Sequence, residues 1–350
     1  MRLLDRHIVR SIFELTGLVA LALLAIYTFV SFVSDIGDTG KGKYGIPQLI
    51  AYTVLMMPSS LYILMPIVAL LGTLLGVGAL ARQGELTAMR AAGVSVLRIG
   101  VATLIAGAIL GLFTFALGDW LAPSGASAAT ALRDKARGTS VSRSTWLRNG
   151  ADMVQIRHLY SEDHVGDVTV FRLAPDSSIQ TIITAGEAEF RDGHWQLTDV
   201  HETRFDGDRV ALSSAPNLQW SGGLDPKVLR LFILESDSLS LRGLMKLIAY
   251  LRDNHLDYAK YQLLVWRKLI EPLTVMAMML FAVPFSIGRA RDTGAGQRLL
   301  GGVLVGIVFY VVNKVSLSYG ALYQWPAPLS ASMPTVLLGG LSTWWLSRSR

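Results

Sequence analysis

Six long apolar runs dominate the chain: Ile12 to Val33, Leu55 to Leu80, Leu97 to Leu121, Leu269 to Ile287, Leu299 to Leu317 and Leu329 to Leu346. Each is close to the roughly 20 residues that carry an α-helix across a bilayer, where only a helix or a closed barrel satisfies the backbone. The pattern predicts six membrane helices in two sets of three. The first run is about 22 residues long and lacks a small-x-small cleavage site. It therefore reads as a retained anchor rather than a signal peptide, whose apolar core is about 7–15 residues. Between the third and fourth runs the pattern changes. Short alternating or β-branched stretches, Met153 to Tyr160, Asp167 to Leu173, Ile179 to Thr184 and Trp195 to Val200, are separated by turn pairs at Asn149-Gly150, Asp192-Gly193 and Asp206-Gly207. That spacing predicts an inserted all-β domain of six or more strands, a sandwich or a jelly roll. Ser127 to Arg137 and Leu239 to Asp253 have helical character and read as stems. The expected division is residues 1–121, 122–262 and 263–350.

One polar segment interrupts the first set of helices, Arg82 to Gly93. At helical spacing Leu86, Met89, Gly93 and Val96 fall on one side, and Glu85, Ala88 and Ala92 fall on another that is small-surfaced and carries one carboxylate. A helix of this kind lies at a membrane surface, its apolar side against neighbouring helix ends. The other side is left to enter a groove on a partner, or the segment is an ordinary interfacial loop helix.

Charge fixes the orientation. Arg2, Arg6 and Arg10 precede the first run, Arg82, Arg90 and Arg98 lie between the second and third, Arg289, Arg291 and Arg298 between the fourth and fifth, and Arg348 and Arg350 close the chain. Basic residues in short loops stay cytoplasmic, so all four segments and both termini are placed inside and the β-insert outside. The outer side carries Lys41 and Lys43, balanced by Asp35 and Asp38, and no formal charge between Ser316 and Ser330.

Composition agrees. The 350 residues are 51% hydrophobic and only 17% charged, with a mean hydropathy of +0.43, too apolar for one soluble domain. The absence of cysteine removes disulfides and thiolate zinc sites. The histidines His7, His158, His164, His194, His201 and His255 form no H-E-x-x-H pair and lie outside the apolar runs. Asp119 and Glu271 sit near predicted helix ends rather than paired at a midplane, which argues against an intramembrane protease or proton relay. Gly37 to Gly42-Lys43-Tyr44 has the spacing of a phosphate-binding loop, but Tyr44 stands where Ser or Thr must bind magnesium. No catalytic residue, metal or cofactor is expected, and any energy must come from a partner. Gly72 with Gly76, Gly107 with Gly111, and Gly302 with Gly306 give small-x-x-x-small faces for close helix approach. Pro58, Pro66, Pro272 and Pro284 are expected to kink their helices.

Leu4-Asp5-Arg6-His7-Ile8, Glu85-Leu86-x-x-Met89-x-Ala91-x-Gly93, Gly118-Asp119-Trp120-Leu121-Ala122-Pro123 and Glu271-Pro272-Leu273-x-Val275-x-x-Met278 occur in that order. Set on a topology of three helices, a β-insert and three more helices, the whole chain resembles the permease pair of the lipopolysaccharide-export ABC transporter, its first and third motifs favouring the G-type half. The resemblance implies an F-type partner in a pseudo-twofold dimer on two copies of a cytoplasmic ATPase. Its cavity takes lipopolysaccharide from the outer leaflet of a Gram-negative inner membrane. The periplasmic jelly roll passes it to a bridge of similar domains, and a single-span partner inserts beside helix 1. ATP is bound by the partner. Arg82 to Gly93 then corresponds to the coupling helix, with Glu85 meeting a basic residue of the ATPase and Leu86, Met89, Arg90 and Gly93 as its other members.

For lipopolysaccharide, the resemblance puts Arg133 at a basic position beyond helix 3. The family's lysine near the outer end of helix 1 aligns with about Ser31, where this chain departs from the pattern. Lys41 and Lys43 either substitute for it or are solvated loop lysines. Lys314, late in helix 5, either snorkels outward or faces a lipid phosphate. Phe29, Phe32, Leu61, Phe309 and Tyr310 are candidates by position for an acyl-chain cavity. A mechanotransmission or lipoprotein-release subunit is the alternative, but such proteins usually have four membrane helices. A scaffold without transport would not need Glu85.

Overall fold

A computed structural model describes residues 3–137, 145–150, 152–160, 163–174, 178–206, 209–220, 229, 239–288, 295–323 and 325–348. Arg289 and Arg291, Gly207 of the Asp206-Gly207 turn, and the terminal Arg2 and Arg350 lie outside them. The chain divides into two compact units, one of Met1–Gly37, Thr53–Ala126 and Ala259–Arg350, the other of Asp38–Tyr52 and Ser127–Tyr258.

The first unit is helical. Its long helices are α1 (Leu3–Asp35) and α2 (Ile46–Arg82), then α4 (Val96–Ala116), and, after the insert, α7 (Ala259–Gly288), α8 (Ala295–Leu322) and α9 (Ala327–Arg348); the short α3 (Glu85–Ala91) lies between α2 and α4. Among the described residues five spans are long and apolar enough to cross a membrane: Leu4–Asp38, Ile46–Arg82, Val96–Arg137, Ala259–Ser286 and Leu300–Leu322. The sixth, α9, is 22 residues long and packs on α7. Its serines, prolines, glycines and tryptophans lower its hydropathy without shortening it. The helices run past the expected boundaries because a membrane helix continues as a polar rod beyond the hydrocarbon. Thus α7 starts at Ala259, not Leu269.

All three glycine faces are close-packed. A Cβ on Gly72 would run into the Thr16 backbone and one on Gly76 would lie 2.9 Å from Ile12 Cα, so α2 meets α1 there. A Cβ on Gly111 would lie 2.9 Å from the Pro272 carbonyl oxygen, where α4 meets α7, and one on Gly306 would lie 3.4 Å from Ile67, where α8 meets α2. With apolar lipid around them, helices associate through such fit and through polar contacts. One contact of the polar kind is the buried 2.8 Å bond between the hydroxyls of Thr274 on α7 and Thr335 on α9.

In the second unit six strands, β1 (Thr145–Asn149), β2 (Asp152–Leu159), β3 (His164–Leu173), β4 (Ile179–Arg191), β5 (His194–Asp206) and β6 (Arg209–Trp220), form one antiparallel sheet in chain order. No crossover occurs among these strands, so the described sheet is a meander. At the β4–β5 turn Asp192 and Gly193 take φ of 51° and 83°, the left-handed pair that a two-residue hairpin demands. Both strands run well beyond the expected segments, because cross-strand pairing from Arg191↔His194 to Thr181↔Arg204 holds them extended where the apolar alternation lapses.

One face buries Val154, Ile156, Val168, Val170, Ile183, Leu197 and Trp195 in a single core. At its edge Asp152 accepts from Arg172 Nε at 3.0 Å and Nη2 at 3.2 Å and from Trp220 Nε1 at 3.2 Å, so this buried carboxylate is paired. Helix α6 (Leu241–Asp253) is capped by Ser240 and buries Leu244, Leu247 and Leu251. It is tied to the β1–β2 turn: Tyr250 donates to the Arg148 carbonyl at 2.7 Å, and Gly150 N–H donates to Asn254 Oδ1 at 3.2 Å. Burial pushes the Tyr250 phenol up to about 12, which keeps it a neutral donor at physiological pH.

Candidate functional site

Helix α3 is built by two interruptions. Gly84, at φ 76°, turns the chain after α2, and Gly93, at φ 88°, turns it again before Ser95 caps α4 by accepting from Arg98 N–H. Between them Leu86 and Met89 are buried in one cluster with Ile8, Ile12, Leu80, Val96 and Ile99. Thr87, Ala88, Arg90, Ala91, Ala92 and Gly93 are exposed. The small-surfaced side therefore faces outward as its spacing predicts. Gly93 departs from the prediction: the helix has ended at Ala91, so its periodicity no longer places Gly93 with Leu86 and Met89.

Glu85 is half-buried and engaged. His7 Nε2, on the first turns of α1, lies 2.7 Å from Glu85 Oε2. A second link joins the same two regions, with Arg98 Nε 3.4 Å from Asp5 Oδ1. The Leu4 to Ile8 motif thus ties α1 to the start of α3 through Glu85 and to the start of α4 through Arg98. These partners are 78 and 93 positions apart, and no local spacing rule finds them.

In the second unit the segment Asp38–Tyr52 lies along the end of α5 (Ala122–Arg137), the helix that continues α4 through a π turn at Leu117–Leu121. Arg133 donates from Nη1 to Tyr52 Oη at 3.3 Å, its guanidinium 5.1 Å from the ring centroid. Arg137, which the sequence did not single out, donates to Asp38 at 2.5 Å and covers Tyr44 at 5.3 Å. Lys41 pairs with Asp38 at 2.6 Å, while the Lys43 side chain is exposed and its N–H donates to the Ala136 carbonyl at 2.7 Å. Arg133 and Arg137, one turn apart on α5, thus stand against the Asp38–Tyr52 segment together with Lys41, which shares Asp38 with Arg137. This basic cluster is suited to an anion.

The apolar candidates are not gathered in the same way. Phe29 and Tyr310 are exposed, and Ser31, Phe32 and Leu61 are half-buried. Phe309 is buried in a core with Leu70, Leu71 and Phe281. Lys314 is exposed on α8 with Nζ 6.0 Å from the Tyr310 ring centroid.

A buried cation also escaped the sequence reading. Lys268, only 7% exposed, donates to the Gly118 carbonyl at 2.7 Å, inside the π turn. Such a turn breaks the regular i→i−4 ladder. Tyr62 of α2 stands 6.0 Å from the ammonium and against Gly118. Ser59 donates to the Ala122 carbonyl at 3.2 Å, so α2 and α7 together satisfy the irregular stretch. Lys268 precedes the expected helix start by one residue, which hid its burial.

Six long helices in two sets of three, a strand-rich insert and a small-faced surface helix with one carboxylate define a polytopic membrane subunit of the permease kind. The family described as lipopolysaccharide export system permease LptF/LptG matches residues 6–348, and the chain belongs to it. It is 30% identical over 352 residues to the lipopolysaccharide export system permease protein LptG of Escherichia coli K12, covering 99% of this chain and 98% of that protein. It is likewise 30% identical over 353 residues to the LptG of Haemophilus influenzae, covering 99% of each.

Proposed function

We propose that this chain is the G-type half of an inner-membrane lipopolysaccharide exporter in a Gram-negative bacterium. It works beside an F-type half, and two copies of a cytoplasmic ATPase drive it through α3. The α3 surface carries the proposal: Ala88, Ala91 and Ala92 form an exposed face without bulk, bordered by one carboxylate, on a helix whose Leu86 and Met89 are anchored in the core. A push on such a helix reaches α1, α2 and α4 through packed side chains rather than through a loose loop. The second unit lies in the periplasm as a jelly-roll-type domain and hands lipid to a bridge of similar domains. The cluster around Arg133 meets the lipid's phosphates, and a single-span partner inserts beside α1, much of whose surface is uncovered within this chain.

The test is ATP-driven extraction of lipopolysaccharide from proteoliposomes holding the co-purified complex. Wild type is expected to extract it. Glu85→Ala is expected to lower extraction about 10- to 100-fold, the scale of losing one close interfacial charge pair. Normal extraction by Glu85→Ala would remove α3 from the coupling path, and no lipopolysaccharide movement by wild type would end the export reading.

A further inference from the structure

We infer that His7 is a positioning residue for ATPase docking, acting only by holding the Glu85 carboxylate in place. The inference rests on the coupling reading of α3 above. His7 Nε2 lies 2.7 Å from Glu85 Oε2, which requires a hydrogen on Nε2 in either charge state of the ring. No described residue bonds Oε1, so one carboxylate oxygen is fixed and the other is left for a partner's cation. The histidine is itself fixed: next to it Ile8 is 2% exposed, and Ile8 and Ile12 pack in the cluster that holds Leu86 and Met89. Asp5 with Arg98 ties the same turn of α1 to the start of α4.

Both His7 and Glu85 are partly solvated, so their bond adds little to folding. Its effect is on binding. A glutamate on a surface helix samples many rotamers. Holding it in one rotamer removes an ordering cost that docking would otherwise carry. The same contact makes α1 part of the docking unit, although α1 contributes no residue to α3.

The experiment titrates the ATPase onto the purified permease pair and measures both its apparent Kd and hydrolysis at saturating ATPase. His7→Ala is expected to weaken docking about 3- to 10-fold, with hydrolysis at saturation and the thermal midpoint unchanged. His7→Gln, which keeps a donor on a similar reach, is expected to restore docking. In the Glu85→Ala background His7→Ala is expected to cause no further loss, because its whole effect passes through that carboxylate. If Glu85→Ala weakens docking but His7→Ala does not, or does so equally in both backgrounds, the inference about His7 fails while the coupling reading stands. If Glu85→Ala leaves docking unchanged, the coupling reading fails and the inference falls with it.

Discussion

Gly72→Leu is expected to separate α1 from α2 and to destabilise the bundle by about 3 kcal/mol or more, the upper end for overpacking. A Cβ at Gly72 would already collide with the Thr16 backbone and hydroxyl, and backbone cannot move aside as a flexible side chain does. Gly76 is next along the same face, where Ser11 donates to its carbonyl at 3.3 Å and a Cβ would lie 2.9 Å from Ile12 Cα. Gly76→Ala is therefore expected to do less harm than Gly72→Ala. Gly340→Leu on α9, where nothing lies within 4 Å, is the control and should leave the midpoint of thermal unfolding in detergent near wild type. Because α1 carries His7 and Asp5, the same substitution should also weaken ATPase docking, joining a packing defect to a functional one. Equal midpoints for Gly72→Leu and Gly340→Leu would contradict the α1–α2 packing.

Trp195→Ala is expected to cost the β unit about 3–5 kcal/mol. Trp195 is 2% exposed, stands edge-on to Phe190 with centroids 5.4 Å apart, and is paired across strands with both Phe190 and Trp220. Its removal leaves a cavity in the sheet's buried face beside the β4–β5 turn, in a domain whose whole stability is about 5–15 kcal/mol. Proteolysis of this unit in the intact complex should accelerate at least about a hundredfold where cleavage follows the open population. Leu212→Ser, at a position 81% exposed on β6, should change the rate little. An acceleration below about tenfold for Trp195→Ala would contradict the core assigned to that tryptophan.

The membrane helices were legible because about 20 consecutive apolar residues have few other uses. The glycine faces were legible because their spacing of four repeats on one side of a helix. Helix ends were not, since hydropathy registers the hydrocarbon boundary and not the continuing backbone bonds; that is why α7 begins ten residues before Leu269 and why Lys268 was missed. In the β unit the turns at Asn149-Gly150 and Asp192-Gly193 marked hairpins correctly, whereas strand lengths depended on pairing partners that no single strand encodes. At α3 the spacing separated the buried Leu86 and Met89 from the exposed Ala88 and Ala92, and failed at Gly93, where the helical period had ended. The His7 to Glu85 contact and the Arg137 to Asp38 contact join residues 78 and 99 positions apart, so they become visible only once the fold brings them together.

The central claim is that α3 faces the cytoplasm and the β unit faces outward. The chain has no cysteine, so single cysteines introduced at Ala88 and at the exposed Ser213 of β6 give a background-free label. In intact spheroplasts a membrane-impermeant maleimide should modify Ser213→Cys at once and Ala88→Cys only after lysis. Labelling of Ala88→Cys in intact cells with Ser213→Cys protected would invert the topology and contradict the account.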